Sequence, residues 1–160
     1  MRWGLFFVVL CVVVPVLASE LSNKHTVVPL ADDLTVIASQ SDKEKLPILL
    51  MFFAEDCEYC ERLEQDIINP MLVHGDFNNR VIVRKVLIDQ FDTLTNFAGV
   101  ITDSDEFANQ RGIQVTPTLQ FVDSNGQELV PQVIGYQGPD FFSAYLDDAL
   151  GGSLQKIRQQ

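Results

Sequence analysis

The pattern of apolar segments along this 160-residue chain predicts an α/β fold, a mixed central β-sheet flanked by helices on both faces. Three observations carry the prediction. Residues 47–54 form an apolar run with the length and composition of a buried strand, and residues 80–89 read as a second core strand. Segments of helical spacing alternate with them. A hairpin signal, Ser124-Asn125-Gly126 between two further strand-like runs, comes late and adds an antiparallel part. The resulting order is α, β, α, β, α, β, β, α.

The first apolar stretch stands outside this fold. Arg2 supplies a minimal positive region, residues 5–14 are uninterruptedly apolar, and Pro15 breaks the run before Val16-Leu17-Ala18-Ser19. That is the pattern of a secretory signal peptide over residues 1–18. The run is shorter than the roughly 20 residues that span a bilayer, which favours cleavage over a membrane tether. Cys11 lies within it, without small residues at lipoprotein positions, and is not read as lipidated.

A polar lead-in over residues 19–29 precedes the domain, assigned to residues 30–152. Residues 30–43 read as a first helix, with Leu30, Leu34 and Ile37 on one face. The strand 47–54 follows, then Cys57-Glu58-Tyr59-Cys60, then a helix with Leu63, Ile67 and Ile68 on one side. Asn69-Pro70 is expected to end or kink that helix. After the strand 80–89, a longer connection over 90–102 holds Phe91, Leu94, Phe97, Val100 and Ile101, more apolar than a solvent loop requires. Asp103 with Glu106 marks a helix start and Gly112 a helix stop. Residues 118–123 and 128–134 form the hairpin. Gly138-Pro139 opens a last helix whose apolar face holds Phe141, Phe142, Tyr145, Leu146, Ala149 and Leu150. Gly151 is expected to close it, leaving residues 153–160 as a polar tail. There is no internal repeat.

Cys57 and Cys60 fall where a strand ends and a helix begins. There the first cysteine meets unpaired backbone N–H groups and the positive end of the helix dipole, which favour the thiolate. The thiolate is the species that attacks disulfides, so the pair reads as a redox site. A structural zinc site would need about four ligands. Beyond the pair, the chain offers only Cys11, His25 and His74, none at ligand spacing, so no metal or other cofactor is expected. A purely structural disulfide would close a very short loop and stabilise weakly. With the signal removed, Cys57 and Cys60 are the only cysteines, whereas a secreted protein stapled by disulfides carries several pairs.

The net charge of −11 becomes about −12 once Arg2 is removed with the signal, since 10 basic residues then face 22 acidic ones. That argues against nucleic acid and anionic membranes as partners.

Four landmarks in order resemble the thioredoxin-like superfamily over most of the mature chain. They are Cys57-Glu58-Tyr59-Cys60, Lys85-Val86-Leu87-Ile88-Asp89-Gln90, Val115-Thr116-Pro117-Thr118 as a cis-proline turn, and Ile134-Gly135 after the hairpin. The signal peptide, the 90–102 insertion and Gly135-Tyr136 are similar to periplasmic SoxW-type thioredoxins. Tyr59 and Thr116 are similar to the DsbC/DsbG isomerases, although no counterpart of their N-terminal dimerisation domain is expected here. The resemblance implies the thioredoxin fold and a periplasmic thiol–disulfide oxidoreductase acting mainly as a reductase. Isomerase or oxidase activity, or a non-catalytic adaptor role, would be the alternatives. It implies Cys57 as nucleophile, Cys60 as resolving thiol, and Thr116, Pro117 and Tyr59 as substrate-contacting residues. It further implies a monomer, protein substrates bearing disulfides or thiols, and a DsbD-like membrane redox partner. Two departures stand out. Met51 occupies the place of a buried aspartate credited with proton handling at the second cysteine, which leaves Lys85 expected to lack a counter-ion and Glu55 or Glu58 as substitutes. Asp56 replaces the tryptophan before the first cysteine, and Glu55, Glu58 and Glu61 add acid that opposes the helix dipole.

Overall fold

The computed structural model describes residues 28–89 and 92–160, so the expected signal peptide, most of the lead-in, Gln90 and Phe91 lie outside the described residues. Strand β1 (Ile48–Phe53) is central and every one of its residues is buried. It pairs in parallel with β2 (Ile82–Leu87) and antiparallel with β5 (Thr118–Val122), which pairs antiparallel with β6 (Val133–Ile134). The sheet order is β2-β1-β5-β6, mixed as expected. A strand covered on both faces reads as a continuous apolar run, which is what residues 48–53 are.

Alternate residues of β1 feed two cores. Leu49, Met51 and Phe53 join Cys60, Leu63, Ile67, Ile68, Phe142, Leu146 and Leu150 on one face. Ile48, Leu50 and Phe52 join Leu34, Ile37, Leu94, Phe107 and Ala108 on the other. The first face carries α2 (Glu58–Leu63), α3 (Asn69–His74) and α5 (Pro139–Arg158); the second carries α1 (Leu34–Glu44) and α4 (Ser104–Gln110).

Several expectations are corrected. Helix α1 starts at Leu34 rather than residue 30, because the Asp33 carboxylate caps it by accepting from the Thr35 and Val36 N–H groups at 2.8 and 3.4 Å. Leu30 instead makes a parallel bridge to Lys85. Pro70 does not end the helix: residues Glu64–Ile68 form a π-helical turn between α2 and α3, with Asn69 N–H reaching back to Glu64. A wider turn just before a proline accommodates the lost donor without breaking the rod. His74 is the last residue of α3, and Gly75 at φ 80° ends it. The long connection holds a small hairpin, β3 (Thr93–Thr95) with β4 (Ile101–Asp103), which sends Leu94 and Phe97 into the second core. Asp103 precedes α4, but its side chain makes no capping bond. The late hairpin pairs only at its ends, through Val122–Glu128 and β6, and Pro131 lies in the unpaired stretch, where it has no N–H to offer a ladder.

Helix α5 departs furthest from expectation. Gly151 does not stop it; the helix runs to Arg158 and buries Ser153 and Ile157. Its expected apolar face is also divided. Phe142, Leu146 and Leu150 are buried, while Phe141 and Tyr145 are 76% and 67% exposed. Among the described residues no helix is long and apolar enough to cross a membrane.

Candidate active site

The site lies at the carboxyl end of β1, where open α/β sheets place their functional groups. Ala54-Glu55-Asp56 carry the chain from strand to helix, and the Glu55 N–H is held by the Asp89 carboxylate beyond β2 at 2.8 and 3.0 Å. Cys57 is the N-cap of α2, with extended backbone, and its sulfur accepts from the Cys60 N–H at 3.2 Å. Its carbonyl accepts from the N–H groups of Cys60 and Glu61. Cys57 and Cys60 are joined in a disulfide. The two sulfurs are not equivalent in access: Cys57 is half-buried, whereas Cys60 is 2% exposed.

The Thr116–Pro117 bond is cis, as the sequence suggested, and the turn comes up against the pair. The Thr116 hydroxyl donates to Cys57 Sγ at 3.4 Å. Thr118 Oγ1 braces the turn by donating to the Val115 carbonyl at 2.8 Å, and the Gly135 N–H donates to the Pro117 carbonyl at 2.8 Å. All four sequence landmarks therefore meet in one place. Tyr59 projects outward, 53% exposed. Beside Gly135, an open groove of about 710 Å³ lies between β6 and the start of α5, with Ile134, Phe141 and Tyr145 on its walls.

Glu55, Asp56, Glu58 and Glu61 are all exposed, which leaves none of them enclosed with Cys60. The expectation that Lys85 has no counter-ion is overturned. Its ammonium pairs with Glu64, and it lies 5.0 Å from the centre of the Phe53 ring. The side chains of Lys85 and Glu64 are only 13% and 22% exposed. Met51, paired with Lys85 in the strand register, is fully buried. The sequence carried a signal for Glu64: it stands four residues after Cys60, one helical turn on.

A second polar link was not anticipated. The Tyr136 hydroxyl donates to Asp66 at 2.8 Å, and its ring meets Phe142 edge-on at 5.0 Å. Burial first, then the bond to Asp66, pushes the phenol up to about 12. Among the described residues there is no group of three or more His, Cys, Asp or Glu side chains arranged to hold a metal ion.

Comparison with known proteins agrees with this geometry. The thioredoxin-like domain family matches residues 34–150. No curated protein matches the chain. Among solved structures, a DsbH oxidoreductase is similar at 15% identity and a TM-score of 0.58, over 79% of this chain and 88% of that one. A thioredoxin-fold protein from Helicobacter pylori is similar at 20% identity and a TM-score of 0.51, over 73% and 90%. The thioredoxin of Fasciola hepatica is similar at 16% identity and a TM-score of 0.52, over 77% and 96%. At such identities the likeness is one of fold.

Proposed function

This chain belongs to the thioredoxin-like domain family, and we propose that it is an exported thiol–disulfide oxidoreductase of the periplasm, acting mainly as a reductase of protein disulfides. The asymmetry of the two sulfurs is the observation that carries the reading. Cys57 caps a helix and is reachable, whereas Cys60 is buried behind it. In the reduced state the Cys57 thiolate attacks a substrate disulfide, forming a mixed disulfide and expelling one substrate thiolate. Cys60 then attacks Cys57, closing the intramolecular disulfide and releasing the second substrate thiol. A dithiol partner of the DsbD kind in the membrane returns two electrons to the pair.

Thr116 and Pro117 serve as the substrate platform. The Thr116 hydroxyl already reaches Cys57 Sγ, so a segment lying along this turn is held against the attacking sulfur. Tyr59 offers an exposed ring beside it. The signal peptide supports export, and the type within the family is the SoxW-like periplasmic thioredoxin.

Reduction of a protein disulfide such as that of insulin, followed with Cys57→Ser and Cys60→Ser, tests the assignment. Wild-type protein turns over with a dithiol reductant. Cys57→Ser is inactive, and Cys60→Ser accumulates as a mixed disulfide visible by mass. Trapping by Cys57→Ser instead would reverse the roles, and no turnover by wild type would leave the disulfide a structural feature of a binding module.

A further inference from the structure

Helix α5 is wider in its apolar surface than the sheet it covers. Phe142, Leu146 and Leu150 form one stripe, buried in the first core. Phe141, Tyr145 and Ala149 form a second stripe at the same spacing of four, and its two aromatic rings are largely exposed. Among the described residues no strand lies under that second stripe, since the sheet ends at β6. The space left is the open groove of about 710 Å³, whose walls come wholly from residues 131–149. Its other side is a sheet edge with free backbone groups. The Gly135 N–H donates to the Pro117 carbonyl, and antiparallel pairing alternates, so the N–H and carbonyl of Ile134, opposite Thr118, point away from β5. Edge strands are commonly blunted by charged side chains or proline. Pro131 guards the upstream end here, but residues 129–139 hold no charged side chain. The first charge is Asp140, an acid on the groove wall, and no lysine or arginine lines it.

We propose that this edge is a second docking site, on which an extended, apolar and cationic segment of a substrate polypeptide adds as a fifth strand beside β6. The proposal rests on the oxidoreductase reading above for its substrate, and it adds a binding surface apart from the Thr116–Pro117 turn. An added strand satisfies the free backbone groups of Ile134. Its alternate side chains pack under Phe141 and Tyr145 and cover the exposed stripe, and a lysine or arginine of the segment meets Asp140. The groove also leads to the reactive pair. Gly135, at its end, bonds to Pro117, and the neighbouring Thr116 hydroxyl reaches Cys57 Sγ. A chain whose disulfide stands at Cys57 therefore runs on over Gly135 into the groove.

Charge selects the occupant. A second copy of this protein would set its own Asp140 and a net charge of −11 against the same surface, so self-pairing of the edge is opposed. An extended apolar segment of another polypeptide is accessible when that polypeptide has not folded or has lost its fold, since folded proteins bury such segments. The site thereby selects incompletely folded polypeptides, whose disulfides are also the more accessible to attack.

Fluorescence anisotropy with a labelled, cysteine-free octapeptide, valine or phenylalanine at alternate positions and lysine at both ends, tests docking apart from chemistry. The wild-type protein is expected to bind it, and Phe141→Ser with Tyr145→Ser to weaken binding about tenfold or more, since aromatic anchors dominate such surfaces. Both rings are largely exposed, so the double variant keeps the fold, and its unfolding midpoint checks this. Replacing the peptide's lysines by glutamate, or methylating its backbone nitrogens along one edge, should weaken binding by a similar factor. With the same peptide carrying a disulfide, the double variant should lose about tenfold in kcat/KM relative to a small aromatic disulfide. No binding by wild type, equal binding by the double variant, or equal affinity for the glutamate peptide overturns the proposal. So does a concentration-dependent dimer that the double variant abolishes, which would make a second copy the occupant. Failure of exchange on the small disulfide overturns the oxidoreductase reading instead, and binding of the cysteine-free peptide then still decides the docking site.

Discussion

Tyr136 shows how one buried hydroxyl links packing to pH. Its phenol is raised from 10.0 to about 12 by burial and by the bond to Asp66. The unfolded chain ionises this group near pH 10 while the folded one holds its proton, so unfolding releases a proton in between. The contribution is therefore fully present below about pH 10 and is lost as pH rises toward about 12. Tyr136→Phe should remove that alkaline slope in denaturation midpoints measured from pH 9 to 12. At neutral pH it should cost about 0.5–1.5 kcal/mol for the lost hydrogen bond. An unchanged alkaline slope would mean that other groups set it. Legibility at this scale follows local spacing. Cys57, Cys60 and Pro117 announce themselves because their chemistry depends on neighbours in sequence. The Tyr136–Asp66 bond joins residues 70 apart in the chain, and no local pattern encodes it.

Between elements, Arg111 performs work that composition could not reveal. Its guanidinium donates to Gln120 Oε1 at 2.6 Å and to the Gly126 carbonyl at 2.7 Å. It also lies over the rings of Phe97 and Phe107, 5.7 and 5.2 Å from their centres. It thus ties the end of α4 to β5, to the hairpin turn and to the β3–β4 insertion. Gly126 sits at φ 77° in that turn, and a Cβ there would come within 2.5 Å of the Phe97 ring, so the insertion and the turn fix one another. Lysine keeps the charge but cannot bond two acceptors in a plane while stacking on rings. Arg111→Lys should therefore cost about 2 kcal/mol in chemical denaturation, and a loss below about 0.5 kcal/mol would refute the tie. Helix α5 gives the contrasting case. Tyr145→Ser, at a largely exposed position, should change stability by less than about 0.5 kcal/mol. Leu146→Ala, one residue on and fully buried, should cost about 2–5 kcal/mol. Helical spacing identified both as one apolar face, but burial depends on how wide the facing sheet is, and the sheet ends at the two-residue β6.

The architecture of the whole molecule was legible because β1 reads the same way at every level, as an apolar run that both neighbouring strands and both helical layers cover. The chain's end was not legible. Gly151-Gly152 and the polar residues after them carry the local signals of a stop and a tail, and helix propensity argues the same way. Tertiary contact overrides them. Past the glycines, Ser153 is fully buried and bonds to the Leu150 carbonyl at 2.9 Å, and Ile157 is 6% exposed. Leu154 packs against the core on the far side of the sheet from Leu146 and Leu150, so the last turns of α5 pass from one core to the other. Lys156 adds a bond from its ammonium to the Leu129 carbonyl, bracing the unpaired part of the late hairpin. Deleting residues 153–160 should then do more than trim a surface. It uncovers the apolar surface against which Leu154 and Ile157 pack and frees the stretch around Pro131, so the loss should reach at least about 2 kcal/mol, the low end for truncating one buried isoleucine. The unfolding midpoint in urea should fall with little change in slope, because few residues are removed. A truncated chain within about 0.5 kcal/mol of full length would mean that α5 holds the sheet through its first three turns alone.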